Sequence, residues 1–294
     1  MATIAEVTAT PRLAWLILAH DHPQQLGRLL KRLAGGTCYV HVDARTSPIV
    51  FSAMQAAVPE GVRAIFVARR PCRWGGFSLV DATLDLIRAA LADGFDWATL
   101  LSGADYPLKS TAQISAFLAA QTTRGFIDIR DQARFDVAHR WQAFHPEALH
   151  GRVLGKVLQK AQRGLHQLGW RRALPTPLSA IYAGSQWWTL SAEACAAVLA
   201  FIAQSPHLLD FFRSTSVPDE MFFQTLLMHT PLAAQLQPDN QRLIQWDEGA
   251  WSPHTWGAQD LPKLSGSNAL FARKFAADGE VSNLLDATLA GQPS

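Results

Sequence analysis

Cysteine is scarce in this chain, and its few copies form no recognisable site. Only Cys38, Cys72 and Cys195 occur among 294 residues, and they lack the short spacings of metal ligands. We predict that they are reduced core residues in a protein from a reducing compartment.

Long hydrophobic runs are also missing. No stretch approaches the ~20 apolar residues that span a bilayer. The N-terminus lacks a charged region followed by a long apolar run, which a signal peptide requires. These absences predict a cytoplasmic protein with at most peripheral contact at the inner face of the membrane. The alanine-rich, cysteine-poor composition suits a bacterial source.

Charge is low and nearly balanced. Charged residues make up 17% of the chain against 49% hydrophobic residues, and the formal net charge is +2. This composition predicts a globular protein with a sizeable core, and no nucleic-acid partner is predicted. Residues 124–172 are locally basic, which fits either an anionic ligand or a plain solvated surface. The basic segment 151–177, with two prolines, is interpreted as a mobile insertion or lid.

The first half of the chain alternates predicted strands with predicted helices. Apolar runs predict strands, and apolar residues at helical spacing predict helices. The predicted strands are residues 13–19, 38–42, 63–67 and 97–101, and the predicted helices are residues 22–33 and 77–92. This alternation indicates an α/β fold with a mostly parallel central sheet flanked by helices.

The second half is less regular. The predicted strands there are residues 126–129 and 187–190, and the predicted helices are residues 191–203 and 218–229. We predict a single domain over residues 1–294. Its nucleotide-binding half covers about residues 10–125, and its acceptor and catalytic half covers about residues 126–280.

Polar residues follow the predicted parallel strands, where such sheets bind ligands. Asp43, directly after a buried strand, suits hydrogen bonds to a ribose or a base, or else caps the next turn. Asp105 follows the predicted strand of residues 97–101, two residues after a glycine that permits close backbone approach. An Asp-x-Asp pair for Mn²⁺ or Mg²⁺ is absent, so protein cations would have to neutralise any bound diphosphate.

Candidate cations and aromatics for such a ligand occur later in the chain. Arg242 begins a strand-like run, and Arg273 and Lys274 lie between two phenylalanines. Their other interpretation is as surface charges beside buried rings. Two tryptophans suit the apolar faces of sugars: Trp74, in a glycine-rich turn, and Trp187, expected to be exposed on a strand. Core packing explains most tryptophans of the chain equally well.

Asp219 and Glu220 give the most specific signal of catalysis. They follow Pro218 and precede an apolar run, so both acids are predicted at the N-terminus of a helix. A carboxylate fixed there suits a general base. The alternative is that both acids are only favourable N-terminal helix charges.

Six blocks of the sequence resemble glycosyltransferase family 14 and occur in the same order. This family contains the core 2 and I-branching β-1,6-N-acetylglucosaminyltransferases and the peptide-O-xylosyltransferases. The resemblance extends from about residue 13 to 275. The blocks are His41-Val42-Asp43, Arg73-Trp74-Gly75-Gly76, Leu101-Ser102-Gly103-Ala104-Asp105-Tyr106-Pro107-Leu108-Lys109, Gly184-Ser185-Gln186-Trp187-Trp188, Pro218-Asp219-Glu220 and Phe271-Ala272-Arg273-Lys274-Phe275.

The resemblance implies a GT-A type fold and a metal-independent, inverting reaction without a cofactor. It implies that Glu220 is the base and that Asp43 contacts the uridine. Lys274 and Arg242 would bind the diphosphate, and Asp105 would lie near the donor sugar. The family's animal members carry a membrane anchor and many disulfides, which this sequence lacks.

The sequence therefore predicts a transferase that moves GlcNAc or xylose from a UDP-sugar to a hydroxyl group of an acceptor. The acceptor is predicted to be a glycan or a lipid-linked oligosaccharide of polysaccharide biosynthesis. A non-catalytic carbohydrate-binding protein on the same fold is the alternative. A nucleotide hydrolase is disfavoured because it would ordinarily need the missing acid pair.

Overall fold

The computed structural model describes residues 10–290, apart from 132, 134 and 150. Ten strands occur within these residues. They are β1 (Leu13–Ala19), β2 (Thr37–Val42), β3 (Ala64–Phe66), β4 (Trp97–Ser102), β5 (Asp105–Pro107), β6 (Gly125–Ile127), β7 (Trp188–Ser191), β8 (Leu236–Gln237), β9 (Arg242–Ile244) and β10 (Phe271–Arg273).

Eleven α-helices lie between and after these strands in the described part of the chain. They are α1 (Pro23–Arg32), α2 (Pro48–Ala56), α3 (Ser78–Asp93), α4 (Thr111–Ala119), α5 (Ala138–Trp141), α6 (Val153–Gln167), α7 (Ala192–Gln204), α8 (His207–Arg213), α9 (Phe222–Met228), α10 (Leu261–Ser265) and α11 (Glu280–Ala290). Short 3-10 segments cover Glu147–Leu149, Pro218–Glu220, Ala233–Gln235 and Ala258–Asp260.

The predicted α/β class is confirmed. Seven strands form one sheet in the order β3-β2-β1-β4-β7-β6-β8. The pairs β1–β2, β1–β4, β2–β3 and β6–β8 are parallel, whereas β7 pairs antiparallel with both β4 and β6. This mostly parallel sheet flanked by helices is the arrangement expected of a GT-A type fold. A second sheet, in the order β5-β10-β9, brings the late strands beside the end of β4.

Alternation along β1 explains why both faces of the large sheet are covered. All seven residues of β1 are buried, as expected for a central parallel strand. Leu16 and Leu18 pack in one core cluster with side chains from α3, α7 and α9. Trp15 and Ile17 pack in the other cluster with side chains from α1, β10 and α11. The predicted core placement of the three cysteines is confirmed, since all are buried and free.

The predicted helix over residues 218–229 is wrong in one respect, because it is two segments. A 3-10 turn covers Pro218–Glu220, and α9 begins only at Phe222. Met221 leaves the helical region with φ −136°. The Gly184 amide donates to the Glu220 carbonyl at 2.9 Å, which takes the acceptor that a continuous helix would use.

Residues 151–177, interpreted as a mobile insertion or lid, contain the fifteen-residue helix α6. The expected exposure of Trp187 on a strand is wrong, because its side chain is only 8% exposed and it lies directly before β7. No single described helix is long and apolar enough to cross a membrane. Taken together, α7 and α8 have the length and apolar composition of a membrane span, but the two helices are bent by 100° relative to each other.

Candidate active site

A cavity of about 690 Å³ opens beyond the carboxyl ends of β1, β2 and β4. His20 and Asp21 follow β1, Asp43 follows β2, and Gly103 follows β4; all four line its wall. This is where open parallel sheets bind ligands, and the volume lies within the ~300–1,000 Å³ of typical small-molecule sites. Eight of the nine predicted site residues line this cavity: Asp43, Trp74, Trp187, Asp219, Glu220, Arg242, Arg273 and Lys274.

Glu220 is positioned by the 3-10 turn rather than by a helix start. Its side chain is 34% exposed, and its Oε2 accepts a hydrogen bond from Arg140 Nη1 at 2.7 Å. The Val217 amide, just before the turn, donates to the Gly75 carbonyl at 3.0 Å. The turn is therefore fixed to the glycine-rich loop that carries Trp74, with the Glu220 carboxylate reaching the cavity.

Arg140 is a site residue that the sequence did not indicate. It lies in α5, 80 residues before Glu220, in a part of the chain without a recognisable motif. Its carbonyl accepts a hydrogen bond from the Ser216 amide at 2.9 Å, so backbone and side chain both contact the Glu220 region. The arginine therefore orients one carboxylate oxygen of Glu220 and leaves the other without a hydrogen-bond partner among the described residues.

Asp219 has different surroundings from its neighbour. It is 6% exposed, and its Oδ1 has no hydrogen-bond partner among the described residues. Burial, followed by the nearby charge of Glu220, raises the pKa of Asp219 to about 7. Two adjacent carboxyl groups in unlike environments suit unlike roles, with the protonated acid binding a hydroxyl and the exposed carboxylate accepting a proton.

The predicted diphosphate residues meet at one side of the cavity but differ in availability. Lys274 is half-buried, and no hydrogen bond or ion pair of its ammonium group is seen in the described structure. Arg273 pairs with Asp105 at 3.1 Å and lies 4.4 Å over the Trp187 ring. Of the three predicted cations, Lys274 is therefore the freest to meet an anionic ligand.

Arg242 lies deeper than expected for a phosphate ligand. Its guanidinium donates to the carbonyls of Asn240, Leu100 and Trp188 at 2.8, 3.3 and 3.4 Å. Burial lowers its pKa to about 10. It also lies 4.5 Å over the Phe271 ring. These contacts tie β9, β4 and β7 together, so Arg242 has a structural role beside the predicted one.

Asp105 is the one predicted site residue that does not line the cavity. It is fully buried. Its Oδ2 accepts from the Ser102 amide at 2.8 Å, and its Oδ1 accepts from the Ser102 hydroxyl at 3.0 Å and pairs with Arg273 at 3.1 Å. Asp105 thus shapes the loop after β4 and positions Arg273, one layer behind the cavity wall.

Asp43 reaches the cavity with much of its hydrogen-bonding capacity already used. Arg45 forms a two-pronged contact with it, the shortest distance being 2.6 Å from Nη2 to Oδ2. The Cys72 amide donates to Oδ1 at 3.3 Å. The carboxylate therefore connects the end of β2 to the loop before Trp74, and it retains access to the cavity.

Three exposed tryptophans rim the cavity. Trp74, Trp246 and Trp251 are 84%, 56% and 90% exposed, and all three line the opening. Large exposed rings of this kind offer flat apolar surfaces to the faces of sugar rings. The sequence indicated Trp74 but not the other two, because Trp246 and Trp251 lie in a polar loop that carries no distinctive pattern.

The rim loop, residues 246–256, is fastened at its base. His254 contacts Asp247 through Nδ1 and Asp260 through Nε2, both at 3.0 Å. These two carboxylates, Asp260 first, raise the pKa of His254. The Lys274 amide donates to the His254 carbonyl at 3.1 Å, which couples the loop to the cationic side of the cavity.

Metal ligands are not grouped in the described part of the chain. No set of three or more His, Cys, Asp or Glu side chains there is arranged to hold an ion. His20 and His22 each contact the Asp21 carboxylate, at 3.4 and 3.1 Å, but all three side chains are largely exposed.

Comparisons with known proteins agree on one family. A family model described as Core-2/I-Branching enzyme matches residues 13–264. Xylosyltransferase 2 of Mus musculus is 27% identical over 311 residues, covering 95% of this chain and 34% of that protein. Xylosyltransferase 1 of Homo sapiens is 26% identical over 312 residues, covering 95% and 30%. The chain thus spans about a third of the length of the curated relatives it matches.

Solved structures resemble the chain only distantly. Core-mannan synthase A of Aspergillus fumigatus, in an Mn/GDP form, has a TM-score of 0.40 at 8% identity, covering 80% of this chain and 74% of that one. TarS 1–349 of S. aureus has a TM-score of 0.30 at 11% identity, covering 40% and 36%. At such TM-scores neither structure informs the site of this chain.

Proposed function

Because this chain belongs to the core-2/I-branching enzyme family of glycosyltransferases, we propose that it is an inverting, metal-independent transferase that uses a UDP-sugar. One observation carries the proposal. The half-exposed carboxylate of Glu220 and the unpaired ammonium group of Lys274 both line the cavity at the end of the sheet. A base and a cation along one cavity are what an in-line displacement of a nucleoside diphosphate needs.

Glu220 acts as the general base in this proposal. The acceptor hydroxyl oxygen forms a bond to the anomeric carbon while its proton passes to the Glu220 carboxylate. The bond between that carbon and the diphosphate breaks on the opposite face, so the configuration inverts. Arg140 Nη1 donates to Glu220 Oε2 at 2.7 Å and keeps that oxygen oriented, while the other carboxylate oxygen accepts the proton. Base catalysis of this kind typically contributes ~10²–10⁴-fold.

Protein cations stabilise the leaving diphosphate. Lys274 contacts the developing negative charge directly, and Arg273, oriented by Asp105 and Trp187, adds a second positive charge. A well-placed charge-stabilising donor is worth roughly 3–4 kcal/mol in the transition state. In this proposal, these cations take the role that a divalent ion has in metal-dependent transferases.

The relatives support a choice of donor sugar, and the rim of the cavity supports a class of acceptor. The names of the relatives favour xylose, and the family description favours GlcNAc. The three exposed tryptophans at the cavity support a glycan or a lipid-linked oligosaccharide as the acceptor. We place the protein in the cytoplasm, where UDP-sugars are made.

A panel of UDP-sugars, read by saturation-transfer NMR and then by UDP release, tests the function. We expect UDP-xylose or UDP-GlcNAc to bind, and UDP release to require an added glycan acceptor. Activity should remain complete in excess EDTA. Activity that EDTA abolishes and Mn²⁺ restores would contradict the metal-independent mechanism. Glycan binding without UDP release from any donor would favour a non-catalytic carbohydrate-binding protein.

A further inference from the structure

Helix α6 exposes an unusual amount of apolar surface. Gln162 is its one buried residue. Soluble proteins rarely leave contiguous large apolar side chains in water unless the surface has a partner. The exposed apolar side chains in and just after the helix are Val153 (78%), Leu154 (65%), Val157 (58%), Leu165 (44%) and Leu168 (84%).

These side chains share one face. At 100° per residue, the five residues fall within an arc of about 120° on the helix surface. The protein contacts the helix on a different side. The Gln162 amide bonds both the amide and the carbonyl of Phe144, at 2.5 and 2.9 Å, and His166 contacts the Gln142 carbonyl at 3.3 Å. The helix is thus docked through polar residues, and its apolar face is turned away from the protein, the reverse of an ordinary surface helix.

The same region is strongly cationic. No Asp or Glu occurs between Glu147 and Glu193. Five of the six cations in that interval are exposed: Arg152, Lys156, Lys160, Arg163 and Arg171. Lys156, Lys160 and Arg163 lie on the polar side of the helix, next to the apolar arc. Trp170, which is 41% exposed and stacked on Phe144, lies just after the helix and adds a further exposed apolar ring.

We propose that this α6 surface, residues 152–171, lies on the surface of an anionic lipid bilayer. An apolar helix face flanked by lysine and arginine inserts at the boundary between headgroups and acyl chains, and the cations pair with anionic headgroups. A second copy of the chain fits less well, because its own five cations would be brought against these five without an intervening acid. The proposal is independent of the sugar chemistry.

The location of α6 gives the lipid contact a consequence. Phe144 and Gln142, which anchor the helix, follow Arg140 closely in the chain, and Arg140 contacts Glu220. The membrane contact would therefore be joined through a short segment to the base that receives the acceptor's proton. An acceptor carried by a membrane lipid would be delivered near that base.

Vesicle flotation tests the proposal directly. We expect the protein to float with vesicles of equal parts phosphatidylcholine and phosphatidylglycerol, to bind poorly to pure phosphatidylcholine, and to dissociate as salt rises. Leu154→Ser with Leu168→Ser should weaken binding at least about tenfold, because it removes two apolar side chains from the inserted face. Separately, Lys156→Glu with Lys160→Glu should weaken binding at least about tenfold, because each lysine near an anionic surface contributes about fivefold.

Ile49→Ser is the matched control, since it removes an 82% exposed side chain from α2 and should leave binding unchanged. All substituted positions are exposed, and circular dichroism checks the folding of each variant. Flotation that is absent, or that is equal in both α6 variants and the wild type, would overturn the proposal. So would light scattering that reveals a lipid-free dimer which both α6 variants dissociate.

Discussion

Asp219 and Glu220 are neighbours in the chain, but their carboxyl groups have different environments. Asp219 is buried with an unpartnered oxygen, whereas Glu220 is half-exposed and bonded to Arg140. The sequence identified both acids, and the family resemblance assigned the base to Glu220. It could not show how their surroundings differ, because the cation that contacts Glu220 comes from 80 residues away. It gave no sign of Arg140 for the same reason.

The buried ion pair between Asp105 and Arg273 can be tested by a single substitution. Asp105→Asn leaves the Arg273 guanidinium, which is only 14% exposed, without its counter-ion. We expect the free energy of unfolding to fall by about 3–5 kcal/mol, the cost of breaking a buried pair. Urea denaturation measures this loss. Asp210→Asn, at a pair whose carboxylate is 79% exposed, is the control and should cost less than about 1 kcal/mol. Unchanged stability with weaker sugar binding would instead assign Asp105 a direct contact with the sugar.

Lys274 should carry the interaction with the donor's diphosphate. Lys274→Ala is expected to weaken UDP binding by about 10–100-fold, the range of a hydrogen bond to a charged group. The loss should shrink as ionic strength rises. Calorimetric titration with UDP measures both effects, and Lys160→Ala, an exposed lysine on α6, is the control. Equal UDP affinity in wild type and Lys274→Ala would remove the phosphate site from this end of the cavity.

At the scale of elements, strands were the most predictable part. The strands β1, β2 and β4 were predicted nearly to their ends because buried parallel strands are continuous apolar runs. The break at Met221 was not predictable, since a distant amide, that of Gly184, takes the Glu220 carbonyl. Helix α6 was not predictable in the same way, because it packs on the protein through Gln162 and not through a buried apolar stripe.

The rim loop should respond to pH through His254. The pKa of His254 is raised by Asp260 and Asp247, so its bridge stabilises the fold fully below the ordinary value of 6.5. This stabilisation is lost as pH rises through the raised pKa. We therefore expect the Tm difference between wild type and His254→Gln to be largest below pH 6.5 and to shrink above it. His207→Gln, whose ring contacts only the Thr176 carbonyl among the described partners, serves as the control. A Tm difference that does not vary with pH would contradict the bridge.

At the scale of the whole molecule, the sheet order explains why separate blocks form one site. The order β3-β2-β1-β4 brings Asp43 and the loop after β4 to one edge, and the small sheet adds Arg273 and Lys274. The sequence could indicate each block and a parallel sheet. It could not show that Asp105 lies behind the cavity, or that Arg242 bonds three backbone carbonyls, because those facts depend on packing between distant segments.

The turnover of Glu220→Gln, beside that of Asp219→Asn, tests the central claim most directly. The glutamine keeps the size of Glu220 and can still contact Arg140, but it cannot accept the acceptor's proton. With the donor and acceptor found by the panel, we predict a kcat at least ~10²-fold below wild type and an unchanged UDP affinity by calorimetry. Asp219→Asn should lose less, since it retains a hydrogen-bonding group of equal size. Near wild-type turnover by Glu220→Gln, together with intact UDP binding, would contradict the account and require another base.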